Sequence, residues 1–433
     1  MNRRITTAIT AVAALGLVVS ACSTAAASPT PSSGASPSAV ASAAPSASAA
    51  PSASVGGSIT VWTMEDSKAF TTLASQFTSA TGIQVQVDQI PWANVNDKLT
   101  TAVASGNGPD VVQTGLTLLP AFESAGALLD LGPQLAAHPG LASANFLDGL
   151  SSDKLSWNGK ILSVPWIADT RVLFYRTDIL AKAGITAPPT TWTEFHADAA
   201  KLVASGSSKY GLYIPQWDQA LPLEFAWEAG GNVVDSNGKV TFDTPAFRTA
   251  ADFYLSFYKD KLVPTASDFD QLQGFISGAA PMVISGPYLA GSIKQQAPQL
   301  DGKWSVAVLP KDLSSTSSLQ GSNMAVWSTS KNVDASLKFL EYLDQPATQL
   351  QWYKLTGELP TVKAALADSS MTSDPLVNVY GQQLQDANLL PLVANWNQIA
   401  TDLLNSLNSI ALQGADETTT LSKLNETVAG LQK

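Results

Sequence analysis

An α/β fold, with mainly parallel sheets flanked by helices, follows from three features of this chain. Short β-branched runs alternate with longer amphipathic segments from Ser58 onward. The first three runs are separated by single helix-length stretches, and parallel strands need such crossovers. The stretch 58–433 is also long enough for two domains of ordinary size.

In order, Ser58 to Trp62 reads as a strand, Ser67 to Thr81 as a helix and Gln84 to Asp88 as a second strand. Asn94 to Ser105 is a second helix, stopped by Gly106-Asn107-Gly108-Pro109, and Asp110 to Gln113 a third strand. In open sheets of this kind the ligand crevice lies outside the carboxyl ends of the strands. Those ends are Trp62 to Asp66, Asp88 to Trp92 and Gln113 to Thr117. A second block, Ile161 to Val308, offers strands at Val172–Tyr175, Tyr210–Ile214 and Ala280–Ile284. Its helices are Trp192–Ala204 and Thr244–Lys259, and the tail from about Asn378 to Leu431 is mostly helical. The sequence after Gly57 holds neither a long repeat nor a transmembrane stretch.

Residues 1–21 read as an export signal: a basic Asn2-Arg3-Arg4 start, an apolar run from Ile5 to Val19, then Val19-Ser20-Ala21-Cys22. Cys22 is the only cysteine, so no internal disulfide forms. Residues 22–57 are almost wholly Ala, Ser and Pro and lack what a core needs, so they read as a disordered tether. A flexible coil of that length averages roughly 30 Å end to end, and full polyproline extension approaches roughly 110 Å.

Removing Arg3 and Arg4 from 24 basic residues leaves 22 against 35 acidic ones, a net charge of −13. That sign, without a basic stripe, argues against a nucleic-acid partner. His138 and His196 supply the only imidazoles, neither at metal-ligand spacing, so neither metal nor cofactor is expected.

A series of segments carries a resemblance. ITVWTMEDS, TGIQVQVDQIPW and ASGNGPDVVQ open it, and WNGKILSVPWIADTRVLFYRTDILAKAGI follows. PPTTWTEFHADAAKL, GGNVVD, FISGAAPMVISGPY, WSVAVLP, QGSNMAVWSTS and GELPTV continue in the same order. Together they resemble the extracellular solute-binding proteins of bacterial ABC importers, in the maltose-type, sugar-binding branch. The resemblance implies a two-lobed periplasmic-binding-protein-like fold that closes over a ligand in the cleft between the lobes. One lobe would take 58–165 plus 310–352 and the other 166–309 plus 353–433. It further implies a carbohydrate ligand, a permease partner and a monomer; separately, Val19-Ser20-Ala21-Cys22 resembles a bacterial lipobox, which implies Cys22 as the lipidated residue holding the protein at the outer face of the membrane.

A pyranose needs carboxylates or amides for its hydroxyls and aromatic rings for its faces. Glu65 and Asp66 follow the first strand where the family places a sugar-contacting acid; capping the helix at Ser67 is the other role open to them. Asp88 matches another acid contact, with simple solvent exposure the other reading, and Gln113 ends the third strand. Thr114 to Leu118 reads TGLTL and lacks the maltose contact set, which points away from maltose itself. Trp166 and Asp169 lie in the crossing segment PWIADTR, with Arg171 as a structural partner for Asp169. Trp217 and Asp218 occupy a loop at a ligand-facing place, Tyr288 stands where relatives stack a tryptophan, and Trp396 matches a late stacking aromatic, with helix packing the other role open to it. Gly321-Ser322-Asn323 resembles a glycine-containing ligand loop.

Two rivals remain open on the residues. A glycosidase would use two of Glu65, Asp66, Asp88 and Asp169, but no Gly-x-Ser-x-Gly elbow, thiol nucleophile or metal set accompanies them. Among binding functions, a polyamine suits acids with aromatic rings through cation–π contacts, and a polyol shares the sugar's hydroxyl chemistry.

Overall fold

The structure, a computed structural model, describes residues 57–151, 155–393 and 395–432. The export signal, Cys22 and nearly all of the tether lie outside the described residues. The described strands are β1 (Ser58–Thr63), β2 (Gln84–Gln89), β3 (Val111–Gly115), β4 (Val164–Thr170) and β5 (Val172–Tyr175). They continue with β6 (Met282–Ser285), β7 (Ser305–Ala307), β8 (Ser317–Val326), β9 (Leu359–Pro360) and β10 (Ala387–Leu389).

The first block folds as its alternation dictates. β1 pairs in parallel with β2 and β3, and the helices Ser67–Thr81 and Val95–Ser105 make the crossovers. The first of these helices begins because the Asp66 carboxylate accepts the Ala69 N–H at 2.7 Å, and it ends where Gly82 takes a left-handed φ of 77°. Phe70, Leu73, Ala74 and Phe77, spaced three and four apart, bury one face of it.

β8 is the spine of the larger sheet, ordered β2-β1-β3-β8-β4-β9, with β10 pairing in parallel to β8. It runs antiparallel to both β3 and β4. The β4–β8 register shifts between Pro165 and Ile167, and there Gly321 is needed. Its φ is 137°, and a Cβ would sit 2.0 Å from the Ile167 carbonyl oxygen.

The smaller sheet, β6-β5-β7, is antiparallel throughout, so the expectation of mainly parallel pairing holds for β2-β1-β3 and not here. Tyr210–Ile214 is not a strand. The N–H groups of Tyr210, Gly211 and Leu212 bond the carbonyls of Ala279 and Leu262, so no ladder forms, and only Tyr213 bridges Val283. The remaining helices of the second block stand as expected, with Thr244 capping Pro245–Lys259.

Beneath the junction of β4 with the first helix lies an aromatic cluster. Trp166 meets Trp352 at 5.3 Å and Phe70 at 6.2 Å between ring centroids, and Phe70 meets Phe339 at 6.1 Å.

Candidate functional site

The carboxyl end of β1, the faces of β4 and β8, and loops from the second block converge on a cleft of about 910 Å³. That volume suits a ligand of a few sugar rings in size. Alternation along β4 aims Ile167, Asp169 and the following Arg171 into the cleft, while Trp166 and Ala168 face the core.

Three groups furnish it. The first is a carboxyl pair. Glu65 and Glu358 are hydrogen-bonded to one another, and Gln113 donates from Nε2 to Glu65 Oε1 at 2.7 Å. Trp352 donates from Nε1 to Glu358 Oε2 at 2.7 Å. Burial pushes both carboxyls above their ordinary range, and the proximity of Glu65 raises Glu358 further. Both carboxyls therefore release their protons at higher pH than isolated carboxylates do.

The second group is an ion triad. Arg171 Nη1 lies 3.2 Å from Asp169 Oδ2, its Nε lies 3.7 Å from Asp218 Oδ2, and the guanidinium sits 5.7 Å from the Tyr288 ring centroid. Burial works against the charge on Arg171, but Asp169 and Asp218 outweigh it and keep the guanidinium charged. Burial also raises Asp169, with Arg171 opposing. The third group is aromatic: Trp92, Trp217, Tyr213, Phe269 and Tyr288 line the walls. Trp217 is 59% exposed and Trp92 45%, rare for indoles unless a partner covers them.

Of the residues singled out in the sequence, Glu65, Asp169, Trp217, Asp218, Tyr288, Gly321 and Ser322 line this cleft. The others do not. Asp66 is the helix cap, its Oδ1 taken by Ala69. Asp88 sits on edge strand β2, away from the lining. Trp166 is buried in the aromatic cluster, and Trp396 is buried at the start of the helix Trp396–Gln413. Asn323 points away and donates to Ser163 Oγ at 2.7 Å. Gln113 stands one layer behind. Its Oε1 accepts from Thr63 Oγ1 at 2.8 Å and from the Met64 N–H at 2.9 Å, which turns Nε2 toward Glu65 and Ser322.

Sequence reasoning missed Trp92, Tyr213, Glu358 and Gln320 as lining residues and treated Arg171 as structural only. Trp92 lies within a strand end already assigned to the crevice, so that signal was present. Glu358 sits in GELPTV with no local mark of function; only the fold brings it to Glu65. Among the described residues no group of three or more His, Cys, Asp or Glu is arranged to hold a metal ion, and no helix is long and apolar enough to cross a membrane.

Against known proteins, the model of the family described as bacterial extracellular solute-binding protein matches residues 62–350. A binding protein of Brucella abortus is 27% identical over 352 residues, covering 76% of this chain and 81% of its own length. The diacetylchitobiose binding protein DasA of Streptomyces coelicolor is 25% identical over 361 residues, covering 80% and 83%. Among solved structures, the sugar-binding protein MalE of Xanthomonas citri aligns with a TM-score of 0.74 at 28% identity, over 86% of this chain and 96% of that one.

Proposed function

This chain belongs to the bacterial extracellular solute-binding proteins and has their two-lobed fold, and we propose that it captures a sugar or oligosaccharide in the cleft and delivers it to an ABC transporter permease. The observation that carries the reading is the composition of the cleft. Indole and phenol rings share the lining with carboxyl and amide groups, the two kinds of group that a pyranose's faces and rim require. Relatives named for diacetylchitobiose and for sugar binding support the ligand class.

Binding without turnover fits the carboxyls. A retaining glycosidase holds its two carboxyls roughly 5–5.5 Å apart with the sugar between them, whereas Glu65 and Glu358 are bonded to each other. We further propose that Cys22 is the lipid-bearing residue, that residues 23–57 tether a monomeric receptor to the outer face of the membrane, and that the tether sets its reach toward the permease.

Titration of indole fluorescence against a panel of sugars, polyols and polyamines tests the ligand class, since Trp92 and Trp217 stand open at the cleft. A saturable change with a sugar is expected. Release of reducing ends from an oligosaccharide would instead make the protein an enzyme. Cys22→Ala should move the protein from the membrane fraction to the soluble one with ligand affinity unchanged, and retention at the membrane would overturn the anchor.

A further inference from the structure

The charges lining the cleft do not balance. Five carboxyls line it, from Glu65, Asp169, Asp218, Asp270 and Glu358, against one basic side chain, Arg171. Arg171 is already committed to Asp169 and Asp218. Around Glu65 and Glu358 the partners are all neutral donors: the Gln113 amide and the indoles of Trp352 and Trp92. Desolvated carboxylates are costly without a countercharge, and either a shared proton or a cation lowers that cost.

Hydrogen-bond accounting points the same way. Asp169 Oδ1, Gln219 Oε1 and Gln271 Oε1 belong to lining residues, are shielded from solvent and have no hydrogen-bond partner among the described residues. All three are acceptors; the lining donors that also lack a hydrogen bond, Arg171 Nη1 and Nε, stand in the ion pairs with Asp169 and Asp218. The amide of Gln271 is oriented by its own donation to Ser285 Oγ at 2.9 Å, which leaves its oxygen free to accept. A hydroxyl brings one donor and also acceptors that need satisfying, whereas an ammonium brings three donors and none.

We propose that the ligand this cleft selects is a saccharide carrying a basic nitrogen, an amino sugar with a free ammonium group, seated against Glu65 and Glu358. The inference rests on the sugar-binding reading and narrows its substrate class. On binding, the ammonium replaces the shared proton as the countercharge of the pair. The ligand keeps its own proton, two carboxylates face it, and one proton leaves to solvent. Asp169, Arg171, Asp218, Asp270, Tyr213 and Tyr288 are the other titratable groups facing the same space, and Arg171 offsets one of the two carboxylate charges in its triad.

The test is calorimetry at pH 7 on matched pairs that differ only at C2: glucosamine with glucose, galactosamine with galactose, and the β-1,4-linked glucosamine dimer with cellobiose. Spermidine serves as an amine without a sugar. The amine member of at least one pair should bind tenfold or more tighter than its hydroxyl partner. It should release protons, detected as a dependence of the apparent enthalpy on buffer ionisation. Glu358→Gln should shrink that preference and the proton release together. Equal or weaker binding by every amine member, including no binding at all, overturns the proposal, and the sugar reading survives if a neutral sugar binds. Tight spermidine binding with no response to any sugar overturns both.

Discussion

Gly286→Ala isolates the ion triad from the rest of the fold. Gly286 caps the helix Pro287–Gln296 with φ −88° and ψ 173°, a conformation open to any residue, so the substitution strains no backbone. A Cβ there would lie 2.4 Å from Asp169 Oδ1 and 2.6 Å from Arg171 Nη1. Ordinary contact begins at 3.4 Å, so both groups must retreat by about 1 Å, enough to spoil hydrogen-bond geometry. Hydrogen bonds to charged groups contribute about 1.5–3 kcal/mol each, so losing one lowers affinity by roughly 10- to 100-fold. Folding should change little. Gly-to-Ala gains about 0.4–1 kcal/mol through the unfolded chain, and local overpacking costs about 1–3 kcal/mol. Calorimetric titration with the best-binding sugar, beside a thermal melt of the apo protein, reads both quantities. Unaltered affinity in a normally folded variant would mean that Asp169 and Arg171 do not touch the ligand.

Three other outcomes are expected. Trp166→Ala should destabilise the apo protein by about 3–5 kcal/mol because the indole fills the Phe70–Trp352 cluster; an unchanged denaturant midpoint would remove it from the core. Trp217→Ala should cost about 3- to 10-fold in sugar affinity and leave the melting temperature in place, since that ring is mostly exposed; a lowered melt with intact affinity would reverse its role. Glu224 is buried beneath the cleft and bonded to Ser318, and burial lifts its pKa to about 7 from 4.5. The folded state thus holds its proton more tightly than the unfolded one. This contribution is complete below pH 4.5 and is lost as pH rises through about 7, a fall on the order of 3 kcal/mol. Urea melts from pH 5 to 8 should show that decline, and Glu224→Gln should flatten it.

How much of this was legible depended on whether the signal was local. The helix Ser67–Thr81 was readable to the residue because its cap, apolar face and stop all lie within its own span. Tyr210–Ile214 has strand-like residues, but its N–H groups find loop carbonyls from distant segments, which composition does not foretell. Asp66 and Glu65 are neighbours with the same chemistry. The helix start takes Asp66 as its cap and leaves Glu65 to turn into the cleft. Period-two alternation in PWIADTR separates core-facing Trp166 from cleft-facing Asp169, so that distinction was available from the sequence. Glu358 was not, because nothing near it marks a residue that meets Glu65 across most of the folded chain.

Gln113 shows why the misplaced residues still bear on function. It contacts no cleft surface, yet its two accepted hydrogen bonds come from the end of β1 and fix which way its amide faces. With that orientation set, one nitrogen donates at 2.7 Å to Glu65 and at 2.7 Å to Ser322 on β8. A single buried side chain on β3 therefore ties β1, β8 and the carboxyl pair into one rigid unit. Pre-organised groups of this kind cost little ordering when the ligand arrives. The parallel block of the larger sheet thus does more than carry the site at its edge. Through Gln113, its strand spacing sets the position of the acid that faces the ligand.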